Sequence, residues 1–128
     1  MSNVFRVKNS ESGTGKPTRF YSNLQEKAIA KATGGKQTKN SGATLFQKGD
    51  ILTEDWILEA KTRTSNQESI SIKREWFEKQ INEMIQMGKK YSAIVINFGP
   101  DFPYNQNHYI INEELFLELL DYLQEKED

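Results

Sequence analysis

The pattern of hydrophobic and polar positions predicts one folded domain that follows a polar arm. Residues 1–20 are rich in serine, asparagine, glycine, threonine and lysine and contain few apolar residues, which is typical of a flexible basic arm. Helical spacing of apolar residues begins after a candidate N-cap at Ser22 or Asn23 and stops at the glycine pair 34–35. Residues 21–128 are therefore predicted to form the domain.

A β-hairpin is predicted in the middle of the chain. Residues 56–61 alternate as a half-buried strand does, and the polar segment 53–55 before them is typical of a turn. The alternation separates two faces, which carry Trp56, Leu58 and Ala60 on one side and Ile57, Glu59 and Lys61 on the other. Glu59 and Lys61 are therefore expected to project together.

The register of this hairpin determines which acids meet. If Leu52 pairs with Ile57, then Asp50 lies directly opposite Glu59, with Cβ atoms roughly 5 Å apart. Two carboxylates this close repel each other unless a cation lies between them. Oxygen ligands favour a hard ion, so the pattern predicts a site for Mg²⁺ or Mn²⁺ beside a lysine. A metal ion and a lysine placed in this way can catalyse the cleavage of a phosphodiester bond. The alternative is a solvated face with weak ion pairs.

The rest of the chain predicts an α/β fold. The predicted elements are a short strand at residues 69–72, an amphipathic helix from Lys73 to about Met87 that ends at Gly88, a buried central strand at 91–98, a strand at 109–111, and a last helix capped by Asn112. His108 is predicted to mark a turn or a strand edge. The apolar residues of the last helix are Leu115, Phe116, Leu119, Leu120 and Leu123.

Composition narrows the possible functions. The chain has no cysteine, which excludes disulfides and thiolate-bound zinc, and its single histidine leaves little room for a histidine-rich metal site or a Ser-His-Asp hydrolase. Neither a secretory segment nor a membrane-spanning apolar run is found. We therefore expect a soluble cytoplasmic protein without a membrane partner.

Charge is distributed unevenly between the two parts of the chain. Residues 1–48 carry nine Lys/Arg against two acids, whereas residues 49–128 carry eight against sixteen, so a net charge of about +7 is followed by about −8. The connector 34–43 is basic, small and hydroxylated, and it leads toward Asp50. Its lysines can meet phosphates, which predicts a nucleic-acid surface beside the acids, with a merely solvated basic tail as the alternative.

These motifs, in this order, resemble a nuclease superfamily. The chain is similar to the nucleases known by an Asp…(Asp/Glu)-x-Lys signature, and within them to the small Holliday junction resolvases of archaea and their phage counterparts. The resemblance covers residues from about 21 to 99. It rests on Gln25-Glu26, Lys39-Asn40-Ser41-Gly42-Ala43, Gly49-Asp50-Ile51, Glu59-Ala60-Lys61 and the block from Ile72 to Gln80.

The resemblance implies a fold, an activity and a set of site residues. The fold is a restriction-endonuclease-like mixed β-sheet flanked by helices, and the activity is a divalent-metal nuclease that is often a homodimer on branched DNA. Asp50 and Glu59 would be the metal carboxylates with the carbonyl of Ala60 as a further ligand. Lys61 would orient water or stabilise charge, and Glu26 would reach the metal or its water shell, with Gln80 and Ser41 in support.

Contacts to DNA are expected from five basic residues and one serine near this site. They are Lys36, Lys39, Ser41, Arg63, Lys73 and Arg74. Two other functions stay open: a nuclease of the same fold that acts on duplex ends, restriction-like sites or single strands, and a non-catalytic nucleic-acid-binding module.

Overall fold

A five-strand mixed sheet forms the centre of the computed structural model, which describes residues 18–38, 50–61, 65–99 and 107–127. The elements in chain order are α1 (Thr18–Thr33), β1 (Lys36–Gln37), β2 (Asp50–Leu52), β3 (Trp56–Lys61), α2 (Arg74–Met87), β4 (Tyr91–Ile96), β5 (His108–Ile110) and α3 (Glu113–Glu127). The predicted α/β class is confirmed as a small domain of one mixed sheet with three helices.

The strands lie in the sheet in the order in which they occur in the chain. Strands β1, β2 and β3 pair antiparallel, β3 and β4 pair parallel, and β4 and β5 pair antiparallel. A parallel pair needs a crossover connection, and α2 lies in that connection. The sheet therefore has β3 and β4 near its middle and the shortest strands at its edges.

The apolar core lies between α1 and one face of the sheet. Its fully buried residues are Ile29, Ile51, Leu58, Ala93 and Val95. Leu58 pairs with Ala93 across the parallel ladder, so the residues of β3 and β4 that face α1 are neighbours. The alternating residues of β2 and β3 lie on the other face, which α2 covers near Glu59 and Lys61.

The predicted hairpin is confirmed, including its register. Leu52 pairs with Ile57 and Asp50 pairs with Glu59. Its turn is held from two sides: the Thr53 hydroxyl accepts a 2.9 Å hydrogen bond from the Trp56 amide, and the Asp55 carbonyl accepts bonds of 2.8 and 2.9 Å from the amides of Lys90 and Tyr91. The turn that sets the register is thus tied to the start of β4.

Most of the other predicted elements are also confirmed. Helix α2 ends at Gly88, which has the left-handed conformation expected of a C-cap, with φ 66°. Strand β4 covers residues 91–96 of the predicted 91–98, and β5 is shifted by one residue from the predicted 109–111 and carries His108 at the sheet edge. The Asn112 side chain accepts a 2.9 Å hydrogen bond from the Leu115 amide, as an N-cap does.

Two element predictions are wrong. Helix α1 begins at Thr18 rather than after Ser22, because no glycine or proline interrupts the residues that follow Pro17. The last three residues of the predicted arm therefore belong to the helix, and residues 1–17 lie outside the described part of the chain. The strand predicted at 69–72 does not form: the alternation of serine and isoleucine there has no buried face, since Ile72 is exposed and Ile70 is only half-buried.

No helix in the described ranges is long and apolar enough to cross a membrane.

Candidate active site

Two carboxylates face each other on the antiparallel β2–β3 pair. Asp50 is 1% exposed and Glu59 is 8% exposed, and the register places them directly opposite each other. The backbone at Asp50 is fixed by Thr38, whose amide and hydroxyl donate hydrogen bonds of 3.0 and 3.2 Å to the Asp50 carbonyl. Buried acids on adjacent strands are costly unless a positive charge accompanies them.

Lys61 brings a positive charge to this pair. Its Nζ atom lies 2.7 Å from Oε2 of Glu59 and 4.4 Å from the centre of the Trp76 ring. Lys61 lies two residues after Glu59 on the same strand, so the alternation of β3 puts both side chains on one face. The ring of Trp76 attracts the ammonium group through its π electrons, which holds the lysine at the acids rather than in solvent.

Helix α2 lies over this face and adds polar groups to it. Trp76, Gln80 and Glu83 follow one another at helical spacing, and Gln80 and Glu83 are both buried. Nε2 of the Gln80 side chain donates a 3.0 Å hydrogen bond to the carbonyl of Ala93 on β4. This bond ties the middle of α2 to the backbone of β4 beside the acids, and the supporting role of Gln80 in the site stays a prediction.

Glu83 is an acid of this site that the sequence did not reveal. Desolvation by burial raises the pKa of Glu83 above its usual value of 4.5, with a further raising effect from Glu59 and lowering effects from Lys79 and Lys61. The charges of Glu59 and Lys61 are therefore part of the surroundings of Glu83. The signal in the sequence was a pair of polar residues, Gln80 and Glu83, within an otherwise apolar helical stripe.

A pocket of about 550 Å³ opens onto the Glu59–Lys61 pair. Trp76 and Lys79 form part of its wall, together with further polar residues of α2. The pocket therefore gives solvent access to Glu59 from the α2 side, next to two lysines and an aromatic ring. Trp76 and Lys79 were not predicted as site residues.

Glu26 lies in a different setting from the other predicted acids. It is 4% exposed on α1, and its Oε1 atom accepts a 3.3 Å hydrogen bond from Nε2 of the Gln37 side chain on β1. Gln37 pairs with Ile51, whose side chain belongs to the core beneath α1. The described structure thus joins Glu26 to β1, and its predicted reach to a metal or its water shell stays a prediction.

The predicted DNA contacts fall into two groups. Lys36, Lys73 and Arg74 are exposed, and Arg74 makes a solvent-exposed ion pair with Glu78 at 3.5 Å. These three side chains are accessible to phosphates. Lys39, Ser41 and Arg63 lie outside the described residues.

The donor set fits a hard divalent cation. Within the ranges that the structure describes, no three His, Cys, Asp or Glu residues come together as a metal-binding group. Mg²⁺ is commonly bound through one or two carboxylates and keeps several waters, so a larger protein cage is not required. The carboxylates of Asp50 and Glu59 and the carbonyl of Ala60 are oxygen donors of the type that such an ion prefers, and their role as metal ligands stays a prediction.

Comparison with known proteins gives no relative. We found no significant match to the chain among protein-family models, curated proteins or solved structures.

Proposed function

We propose that this protein is a Mg²⁺- or Mn²⁺-dependent endonuclease that cleaves phosphodiester bonds in DNA. Asp50 and Glu59 would hold the metal with the carbonyl of Ala60, and Lys61 would act beside them. The proposed fold is restriction-endonuclease-like, and the order of α1, the β2–β3 hairpin, α2 and the parallel strand β4 supports it.

The observation that carries the proposal is the pairing of Asp50 with Glu59, with Lys61 on the same face. Two buried acids and a lysine at 2.7 Å from one of them differ from the solvated surface charges that chance would place on a hairpin. A bound divalent cation would supply a Lewis acid that activates water and neutralises the charge on the scissile phosphate. Placing two acids opposite each other creates the negative site that such an ion needs.

The other residues of the site have separate tasks in this proposal. Lys61 places an ammonium group where negative charge develops on the phosphate, and Trp76 keeps that group in place. Gln80 holds α2 against β4. Glu26 would complete the set from α1 by a water-mediated contact.

Branched DNA is the substrate that we propose, with a homodimer presenting two sites to it. The support is the resemblance to small Holliday junction resolvases in the Asp50, Glu59-Ala60-Lys61 and Ile72-to-Gln80 motifs. Exposed cations at the start of β1 and of α2 are accessible to the DNA backbone, and contacts of this kind position a protein without reading sequence.

Cleavage of defined DNA substrates tests the proposal. Purified protein is incubated with a four-way junction, a linear duplex and a single strand of the same sequences, with Mg²⁺ or with EDTA. Glu59→Gln and Asp50→Asn keep the side-chain size and remove one ligand charge each. Glu125→Gln, which changes an exposed acid of α3, is the matched control.

We expect symmetric nicking of the junction that is lost in EDTA and in both site variants and kept in Glu125→Gln. Equal cleavage of all three DNAs would retain the nuclease and reject the junction substrate. Cleavage by Glu59→Gln at the parental rate would reject the site. Binding of DNA without cleavage under any metal condition would favour the non-catalytic binding module.

A further inference from the structure

A second lysine, Lys79, faces the pocket that opens onto Glu59. It lies on the same wall of the pocket as Trp76, on helix α2, and its side chain is exposed. The other lysine of the pocket, Lys61, is held by its ion pair with Glu59 and by the Trp76 ring. Lys79, by contrast, makes no ion pair with any residue that the structure describes. Its ammonium group is therefore available to an anion that enters the pocket.

Helical geometry sets the distance between the two cations along α2. Trp76 marks the position of the Lys61 ammonium group, whose Nζ atom lies 4.4 Å from the centre of the ring. Lys79 follows Trp76 by three residues, so it lies on the same side of α2 and about 4.5 Å further along the helix axis. The pocket wall extends from Glu75 to Asn82, which is about 10 Å of helix. A wall of this length is long enough for two successive phosphates of one strand.

The acids of the pocket make a second cation necessary for DNA. Besides Glu59, the pocket carries Glu75 and Glu78, which are exposed, so that its acids outnumber its lysines by three to two. In the proposed function, a bound metal and Lys61 offset the charges of Glu59 and of the scissile phosphate. A further phosphate that approaches α2 meets the two exposed glutamates, whose repulsion must be offset by positive charge. Lys79 is the residue of the pocket wall that can supply this charge.

A structural role is the alternative for Lys79. Its charge lowers the pKa of Glu83, which lies one turn further along α2, so the lysine could serve only to stabilise that buried acid. The exposure of Lys79 argues against this role, because a lysine that neutralised Glu83 would form an ion pair with it, as Lys61 does with Glu59. Only a contact to DNA would make the effect of Lys79 depend on one particular phosphate.

We propose that Lys79 binds the phosphate next to the scissile one on the same DNA strand. This inference rests on the proposed function, which supplies the scissile phosphate at Asp50, Glu59 and Lys61. A lysine acts at such a position as a point charge on a flexible stem, and it contributes to affinity without reading sequence. Lys79 is therefore expected to affect the binding of DNA and not the chemical step.

A double-mutant cycle between protein and DNA tests this contact. The cleavage position is first mapped with the parent in Mg²⁺. Binding is then measured by fluorescence anisotropy in Ca²⁺, another hard ion that takes oxygen ligands, and a denaturing gel checks that the strands are intact. The DNAs carry one neutral methylphosphonate at each phosphate near the mapped bond in turn. Each DNA is compared on the parent, Lys79→Met, Lys79→Arg and the control Lys126→Met, which changes an exposed lysine of α3.

We expect one methylphosphonate, next to the scissile bond, to weaken binding to the parent by about three- to ten-fold. Lys79→Met should bind unmodified DNA more weakly by a similar factor and should be insensitive to that methylphosphonate, because both changes remove the same interaction. The slope of log Kd against log salt concentration should also fall by about 0.9 in Lys79→Met. Lys79→Arg and Lys126→Met should respond to the methylphosphonate as the parent does.

The rate of cleavage separates binding from chemistry. At saturating DNA, the single-turnover rate of Lys79→Met in Mg²⁺ should stay within about three-fold of the parent, because the variant has lost affinity and not the reaction centre. A saturating rate that falls further, with unchanged affinity, would overturn the binding role.

The inference and the proposed function fail in different ways. If the parent cleaves DNA but every methylphosphonate has the same effect on the parent and on Lys79→Met, the contact is overturned and the nuclease is retained. If the parent binds DNA but does not cleave it, the nuclease is rejected, and the assignment of Lys79 to a phosphate beside a scissile bond is rejected with it.

Discussion

The Nζ atom of Lys61 lies 2.7 Å from Oε2 of Glu59. The lysine lies two residues after Glu59 on β3. The pairing of Leu52 with Ile57 fixes the register of this strand against β2. The turn at residues 53–55 therefore places Asp50, Glu59 and Lys61 together.

Replacement of Lys61 should reduce catalysis more than DNA binding. Lys61→Met removes a charge beside the proposed reaction centre, and we expect single-turnover cleavage to fall by about 100- to 1,000-fold, as for loss of one stabilising donor. Lys61→Arg keeps the charge but changes its geometry and should retain part of the rate. Lys90→Met, at an exposed lysine, is the control. A Lys61→Met rate within about three-fold of the parent would contradict this role.

Loss of the Gln80 side-chain amide should destabilise the domain. Gln80→Leu removes the hydrogen bond to the Ala93 carbonyl in a buried position, and we expect a loss of about 1–3 kcal/mol in the free energy of unfolding in urea. Gln86→Leu makes the same change at an exposed position of α2 and should have a small effect. Equal stability of the two variants would show that this hydrogen bond makes no net contribution to the free energy of unfolding.

Ionisation of Glu83 should lower the free energy of unfolding of the domain as pH rises. Burial raises the pKa of Glu83 above 4.5, so the folded state binds its proton more tightly than the unfolded state does. Stability is then highest below the unfolded pKa and declines as pH rises through the folded pKa. In EDTA, Glu83→Gln should be more stable than the parent at pH 7, and the difference should shrink toward pH 4.

Urea unfolding across this pH range measures the effect, and Glu78→Gln on the exposed side of α2 is the control. A Glu83→Gln variant that is less stable than the parent at every pH would contradict the prediction, because it would show that the ionised acid is stabilised by its lysine neighbours.

Gly88, which has a left-handed backbone conformation at the end of α2, should tolerate replacement by asparagine better than replacement by alanine. Gly88 has φ 66°, and the amides of Gly88 and Lys89 donate to the Ile85 and Met84 carbonyls. Gly88→Ala should cost about 1–2 kcal/mol because a Cβ strains this conformation. Gly88→Asn should cost less, because asparagine tolerates it. Thermal unfolding compares the two, and equal losses would contradict an origin in backbone strain.

The sequence predicted those parts of the site that depend on local pattern. Strand alternation and a polar turn sufficed to pair Asp50 with Glu59, because a shift by one residue would have moved Ile51 and Leu58 out of the core. The buried state of Glu83 could not be predicted in this way, since it depends on how α2 lies across the sheet. An acid on an amphipathic helix is usually exposed.

The apolar stripe of α3 shows a second limit of sequence patterns. Phe116, Leu119 and Leu123 have the spacing of a helix that packs on its own core, yet they are exposed. The same spacing serves a helix that packs on another chain. The burial of Leu115 alone among the described residues of α3 depends on where the helix lies on the domain, which the spacing does not encode.

The short outer strands of the sheet have a consequence for how copies of the protein meet. Strand β1 pairs over two residues and β5 over three, and β1 ends the sheet with exposed side chains. Edge strands this short offer few backbone amides and carbonyls for pairing, so a strand of a neighbouring molecule can form few hydrogen bonds with them. The edges of the sheet are therefore poor templates for edge-to-edge growth into fibres.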